Sequence, residues 1–241
     1  MPLPKIEHPL YEIFLKSLDR NVKFRPFLVK EEKILLMAKE SKDIGDIRLA
    51  IKQIIQNCCA EDGIDVEKLP LFDIEMIFVK LRAKSVGETV KLAFTCNNRV
   101  GDEACGAETD YTLNIDKIKY KVPEGHDSKV MITDKMGIKL KYPTLALNVL
   151  VDENEDEYVT MIRGIVENIE YVFDENSVYK AEELGKETLI ELIDNLTVEA
   201  MVKIQNFFST SPSVVLEDDV KCSKCGFEHH LKTEGLIDFF T

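Results

Sequence analysis

Phe94-Thr95-Cys96-Asn97-Asn98-Arg99-Val100-Gly101-Asp102-Glu103-Ala104-Cys105-Gly106 and Val220-Lys221-Cys222-Ser223-Lys224-Cys225-Gly226-Phe227 decide the reading of this chain. In each stretch a β-prone apolar run enters a cysteine, and the chain leaves through Cys-Gly. More than a hundred residues separate the two. Structural zinc sites take four tetrahedral ligands, and two pairs on two tight turns supply that geometry. Cys222-x-x-Cys225 has the standard spacing, and Gly226 lets the turn curl so that backbone N–H groups point at sulfur. Cys96 and Cys105 enclose eight residues, which is wider than an ordinary knuckle. The expectation is a zinc-ribbon-like site of Cys96, Cys105, Cys222 and Cys225 holding a structural Zn2+. It would staple an inserted segment onto a small sheet.

Three other readings stay open. His229 or His230 is an alternative ligand in place of one cysteine of the first pair. A degenerate site would leave the thiols without metal. A redox Cys-x-x-Cys is the weakest reading, because such motifs open a helix and here a strand follows. A closed four-thiolate site has no open coordination position, so it stabilises rather than catalyses.

The rest of the 241-residue chain fits this setting. Its apolar content is ordinary for a globular protein, and its length allows a full core. A net charge of −13 argues against a broad nucleic-acid surface, which needs clustered Lys and Arg to release counterions. It argues equally against an anionic membrane surface. No stretch approaches the ~20 apolar residues that span a bilayer, and the N-terminus lacks the basic-then-apolar pattern of a signal peptide. A reducing compartment is therefore expected, in which six cysteines bind metal or stay free.

Residues 1–9 carry three prolines and read as an extended arm. Tyr11 to Leu15 and the alternating Val22, Phe24 and Leu28 predict a hairpin turning through Ser17 to Asn21. A short helix follows from Glu31, and a longer one is predicted from Ile44, Ile47, Ile51, Ile54, Ile55 and Cys58, with Asp43 as its N-cap. That stripe places Cys58 on the buried face, so Cys58 and Cys59 are core residues rather than ligands. Pro70 starts a third helix, with Asp73 and Glu75 near its positive end and Lys80, Arg82 and Lys84 near its negative end. The β pattern of Val90, Leu92 and Phe94, of Tyr111, Leu113 and Ile115, and of Val130, Ile132, Ile138 and Leu140 with a turn at Lys135-Met136-Gly137 predicts one three- or four-stranded antiparallel sheet. His126 lies in a loop and receives no chemical role. The acidic run Asp152 to Glu157 leads into a helical stripe of Tyr158, Ile162, Ile165 and Ile169. Further helices carry Leu189, Ile193 and Leu196, then Met201, Ile204 and Phe208 with Thr197 as cap. Val214 and Leu216 restart the β pattern, and Leu236 to Phe240 form an apolar tail.

The fold class is thus α+β. Residues 1–86 form an N-terminal hairpin plus helical region. Residues 87–143 and 213–241 form an antiparallel sheet with the zinc-ribbon-like site, and residues 144–212 form a helical insertion. No phosphate loop, His-Glu-x-x-His helix or nucleophile elbow is present, so no enzyme and no small-molecule substrate is expected.

Several stretches, each short, resemble one family in combination. They are Phe24-Arg25-Pro26-Phe27 with Glu31-Glu32-Lys33-Ile34-Leu35-Leu36, then Leu69-Pro70-Leu71-Phe72-Asp73-Ile74-Glu75 through Lys80-Leu81-Arg82-Ala83-Lys84-Ser85-Val86-Gly87-Glu88. In the C-terminal half they are Glu191-Leu192-Ile193-Asp194-Asn195-Leu196-Thr197, Phe207-Phe208, Lys221-Cys222-x-x-Cys225-Gly226, and Glu234-Gly235-Leu236-Ile237-Asp238-Phe239-Phe240. Together they resemble the baseplate hub assembly proteins of T-even-like contractile-tailed bacteriophages. The resemblance implies a hub component or hub-assembly chaperone that contacts other baseplate and tail hub proteins. It implies a location in the virion tail baseplate, or in its assembly intermediates in the host cytoplasm. It brings no enzymatic residues with it. The alternative is a zinc-ribbon nucleic-acid-binding or transcription-associated protein. Against that stands the Cys96–Cys105 loop, where Asp102 and Glu103 face only Arg99.

Overall fold

In the computed structural model, residues 6–41, 43–145 and 156–234 are described. The apolar tail Leu236–Phe240, the first residues of the proline arm and most of the acidic run before Asp156 lie outside them.

The chain order starts with strands β1 (Tyr11–Leu15) and β2 (Arg20–Phe24) and helices α1 (Val29–Ser41), α2 (Ile44–Cys58) and α3 (Leu71–Val86). Strands β3 (Thr89–Thr95), β4 (Arg99–Val100), β5 (Glu103–Ala104), β6 (Glu108–Asn114), β7 (Lys119–Lys121), β8 (Lys129–Met131) and β9 (Met136–Leu140) follow. Next come α4 (Glu157–Glu167), β10 (Ile169–Asp174), β11 (Val178–Lys180), α5 (Ala181–Leu184), α6 (Lys186–Asp194) and α7 (Val198–Ser209). Strands β12 (Ser213–Lys221) and β13 (Glu228–Glu234) end the described chain. The protein is α+β, with small antiparallel sheets. It divides into two compact units. One holds residues 1–66, 72–121 and 213–241, and the other 67–71 and 122–212.

The first unit begins with the β1–β2 hairpin, whose alternation buries Ile13, Leu15, Val22 and Phe24. Asp43 caps α2, its Oδ1 accepting the Asp46 N–H at 3.1 Å. Ile51, Ile54, Ile55 and Cys58 then lie fully buried on one face of α2, as their spacing dictates. The chain leaving α2 pairs with β2, through Arg25 N–H to Cys58 O and Ala60 N–H to Lys23 O, both at 2.9 Å. Asp73, in the first turn of α3, is fully buried. Its carboxylate accepts the Lys16 and Ser17 N–H groups, each at 3.0 Å, and the Tyr120 hydroxyl at 2.5 Å. The helix-dipole role expected for Asp73 is therefore secondary to a specific one, as it ties the hairpin turn and β7 to α3. Lys80 and Lys84 at the other end of α3 are held within the unit. Lys80 Nζ reaches Asp116 Oδ1 at 3.0 Å, and Lys84 Nζ reaches Glu88 Oε1 at 2.6 Å. The remaining β structure of the unit is a β3–β6 ribbon, a β4–β5 hairpin and a sheet ordered β13-β12-β7.

The second unit corrects the single-sheet expectation. Strands β8 and β9 do not extend the β3–β6 ribbon. They belong to a four-stranded antiparallel sheet ordered β11-β10-β9-β8. Residues 144–212 are likewise not purely helical, since β10 and β11 fall among them. The stripe Tyr158, Ile162, Ile165, Ile169 overran its helix by one step. Asn168 is the C-cap of α4, and Ile169 opens β10, where it pairs with Leu140. The sheet face and α4, α6 and α7 share a core of Ile138, Leu140, Ile162, Ile165, Ile169, Val172, Leu189, Ile193, Ile204 and Phe207. Thr197 caps α7, accepting the Ala200 N–H at 3.2 Å.

Candidate metal centre

The two cysteine stretches fold into two turns with the same hydrogen bonds. At the end of β12, Cys222 N–H donates to Phe227 O at 2.9 Å, and Gly226 N–H donates to Cys222 O at 3.0 Å. After β3, Cys96 N–H donates to Ala107 O at 2.9 Å, and Gly106 N–H donates to Cys96 O at 3.1 Å. Cys96 thus corresponds to Cys222, and Gly106 to Gly226. Both glycines have positive φ, at 59° and 71°, which a residue with a side chain adopts only at a cost.

The wide spacing of the first pair has a simple cause. Strands β4 and β5 form a miniature hairpin pairing Arg99 with Ala104 and Val100 with Glu103. Its base is closed by Cys105 N–H donating to Asn98 O at 2.8 Å. The hairpin is therefore looped out of a Cys-x-x-Cys-Gly turn whose ligand ends stay adjacent. The spacing hid this because a hairpin inserted between two hydrogen-bonded residues adds length without adding distance.

The four sulfurs converge, with ligand atoms of Cys96, Cys105, Cys222 and Cys225 all within 4.8 Å of one another. Cys96 Sγ lies 3.7 Å from Cys225 Sγ, and Cys105 Sγ lies 3.8 Å from Cys222 Sγ. A tetrahedron with metal–sulfur bonds of about 2.3 Å has edges of about 3.8 Å, so these separations suit one ion. Cys96 and Cys222 are buried, while Cys105 and Cys225 are half-buried. The donor set is soft and closed, the chemistry that favours zinc-type structural sites over calcium or magnesium.

The surroundings favour the thiolate at Cys222 and Cys225. Cys222 is drawn down to about 6, mainly by backbone N–H groups of Cys225 and Lys224. Lys224 N lies 3.4 Å from its sulfur. Cys225 is lowered as well, first by the Phe227 backbone and also by Asn98, whose Nδ2 is 3.7 Å from its sulfur. Cys96 is pushed up to about 12 by burial, against the favourable Asn98 backbone N–H. Four thiols this close cannot all ionise without a cation between them, and the opposed directions express that. Thr109 on β6 anchors the second turn, its Oγ1 accepting the Ser223 N–H at 3.1 Å.

The two histidines open as alternative ligands separate clearly. His230 is on the surface, with Nδ1 2.8 Å from Asp219 Oδ1. His229 Nε2 lies 3.1 Å from Cys96 Sγ, with its ring against Phe94 and Phe227. Cys58 is wholly buried in the core and its thiol is pushed up to about 11 by burial, far from ligand chemistry. His126 is more than a loop residue. It stacks with Tyr142 and Phe207 in the second unit, and its nitrogens lie 3.0 Å from Thr210 Oγ1 and 3.0 Å from the Tyr142 hydroxyl. No periodic signal marks a loop histidine for such a role.

The family described as T4 bacteriophage base plate protein matches residues 8–241. The chain belongs to this family. Within the family's reach, it is 24% identical over 230 residues to the baseplate hub assembly protein gp26 of Enterobacteria phage T4, covering 95% of this chain and 97% of that protein. No solved structure matches the fold. Among the described residues, no helix of this baseplate-family chain is long and apolar enough to cross a membrane.

Proposed function

We propose that this protein is a baseplate hub component or hub-assembly protein. It acts through contacts with other baseplate and tail hub proteins during tail morphogenesis, in the virion tail or on its assembly intermediates in the host cytoplasm. The observation that carries this reading is the near end-to-end similarity to a relative named as a baseplate hub assembly protein. No catalytic step, nucleic-acid contact or small-molecule substrate enters it. The alternative of a nucleic-acid-reading ribbon has no relative behind it, and the net charge of −13 opposes it.

In this reading Cys96, Cys105, Cys222 and Cys225 hold a structural Zn2+. The ion clasps the turn after β3 to the turn after β12, two segments that flank the second unit in the chain. The convergence of four sulfurs within 4.8 Å supports it. Affinity purification of the tagged protein from phage-infected cells, followed by mass spectrometry, tests the function. Recovery of tail baseplate proteins is expected. Salt-sensitive retention on DNA with no tail protein recovered would overturn it.

A further inference from the structure

Metal thiolates carry negative charge that a partly buried site must offset. A zinc ion with four thiolates has two net negative charges, and hydrogen bonds to sulfur are the means of spreading them. Three of the four cysteines have identifiable nearby donors. Cys222 has the Lys224 N–H at 3.4 Å and the Thr109 hydroxyl at 4.0 Å. Cys225 has the Asn98 side-chain amide at 3.7 Å. Cys96 is 1% exposed, so water does little for it, and the side-chain group beside its sulfur is His229 Nε2 at 3.1 Å.

We infer that His229 is an outer-sphere hydrogen-bond donor to the Cys96 thiolate, and that it positions this ligand and slows loss of the metal. The inference rests on the four-cysteine reading of the centre. A metal-bound thiolate can only accept, so Nε2 of His229 carries the proton of this hydrogen bond. The ring is held for this task. Phe94, two residues before Cys96, packs edge-on against it with centroids 5.0 Å apart, and Phe227, two residues after Cys225, does the same at 4.9 Å. Each turn thus supplies one wall of the histidine's slot. The strand pairing of β13 with β12 sets His229 opposite Val220, two residues before Cys222. A ligand role for His229 would make five donors around one ion, where a closed tetrahedral site takes four.

The test uses full-length protein loaded with Co2+, then with Zn2+, in three forms: unmodified, His229→Phe and His229→Gln. Phenylalanine keeps a ring between Phe94 and Phe227 but donates nothing. Glutamine restores an N–H near the Nε2 position. The Co2+ spectrum counts sulfur ligands, and transfer of Zn2+ to a chromogenic chelator gives the release rate. The expected result is a four-sulfur spectrum in all three, with a shifted sulfur-to-metal charge-transfer band in His229→Phe. Zinc release from that variant should be about tenfold faster or more, with recovery toward the unmodified rate in His229→Gln. Equal spectra and rates in all three would overturn the inference, as would equal damage in both variants. A three-sulfur, one-nitrogen spectrum in the unmodified protein would make His229 a ligand, overturning the inference while a metal centre stands. Failure of the unmodified protein to bind either ion would remove the four-cysteine reading itself.

Discussion

Cys58 and Cys222 are both buried, yet their surroundings drive their thiols in opposite directions. Cys58 sits on the apolar face of α2, and burial pushes it up to about 11. Cys222 sits in a turn whose backbone N–H groups point at it, and it falls to about 6. The difference was legible before folding, because one cysteine continues a helical stripe and the other opens a Cys-x-x-Cys-Gly turn. It predicts unequal damage. Under the proposed metal clasp, Cys225→Ser removes one of four ligands and should cost about 4 kcal/mol or more, or about 10 °C in Tm. Cys58→Ser buries a hydroxyl and should cost about 1–2 kcal/mol. Thermal unfolding of the two variants checks this, and equal losses would say that the centre is unimportant to stability. His126 gives a separate prediction. Thr210 Oγ1 is 2.7 Å from Asn206 O and donates its proton there, so it accepts from His126 Nδ1–H, leaving Nε2 to accept from Tyr142. Burial lowers the His126 pKa below its ordinary 6.5, with Asp127 acting weakly the other way. A depressed histidine contributes stability that is present above pH ~6.5 and is lost as pH falls toward the lowered value. Denaturant midpoints measured from pH 7.5 to 5 should therefore fall on the acid side, and His126→Phe should flatten that slope.

At the scale of elements, the β4–β5 hairpin is the instructive case. Its base is already joined by the Cys105 N–H to Asn98 O bond, so the six residues Arg99 to Ala104 add nothing to the ligand geometry. Deleting them leaves Cys96-Asn97-Asn98 followed directly by Cys105-Gly106, and this variant should keep its metal within a few-fold in affinity, read by chelator competition. Loss of binding would show that the hairpin shapes the turn. Asp73 shows the opposite dependence, because its buried carboxylate accepts from the Lys16 and Ser17 N–H groups and from the Tyr120 hydroxyl. Asp73→Ala should cost about 3 kcal/mol by removing three hydrogen bonds to one buried carboxylate, while Tyr120→Phe should cost about 1 kcal/mol. Denaturant unfolding of both variants tests the ratio. The caps of α2 and α7 were readable from local spacing, since Asp43 and Thr197 do their work within one helical turn. The fate of β8 and β9 was not. Alternation says that a strand has one buried face, but not which strand it pairs with, and β10 was concealed inside an apparent helical stripe.

Across the whole molecule, the family match spans residues 8–241, so it embraces the two compact units together. The first unit is discontinuous in sequence, and its last segment, residues 213–241, must find residues 72–121 after the intervening chain. Closing so long a loop carries an entropic cost, which the proposed metal, held by both segments, would offset directly. The second unit has its own apolar core and no cysteine among its residues. The pairing of the two cysteine turns was legible in the sequence because each repeats the same entry and Cys-Gly exit. The placement of His229 beside the Cys96 sulfur was not, because it depends on the register of β13 against β12. The most direct measurement is elemental analysis, with native mass spectrometry, of full-length protein purified without chelator. One zinc per chain, lost in Cys225→Ser and retained in Cys58→Ser, is the predicted result. Metal-free, folded protein with four reduced thiols at these positions would contradict it.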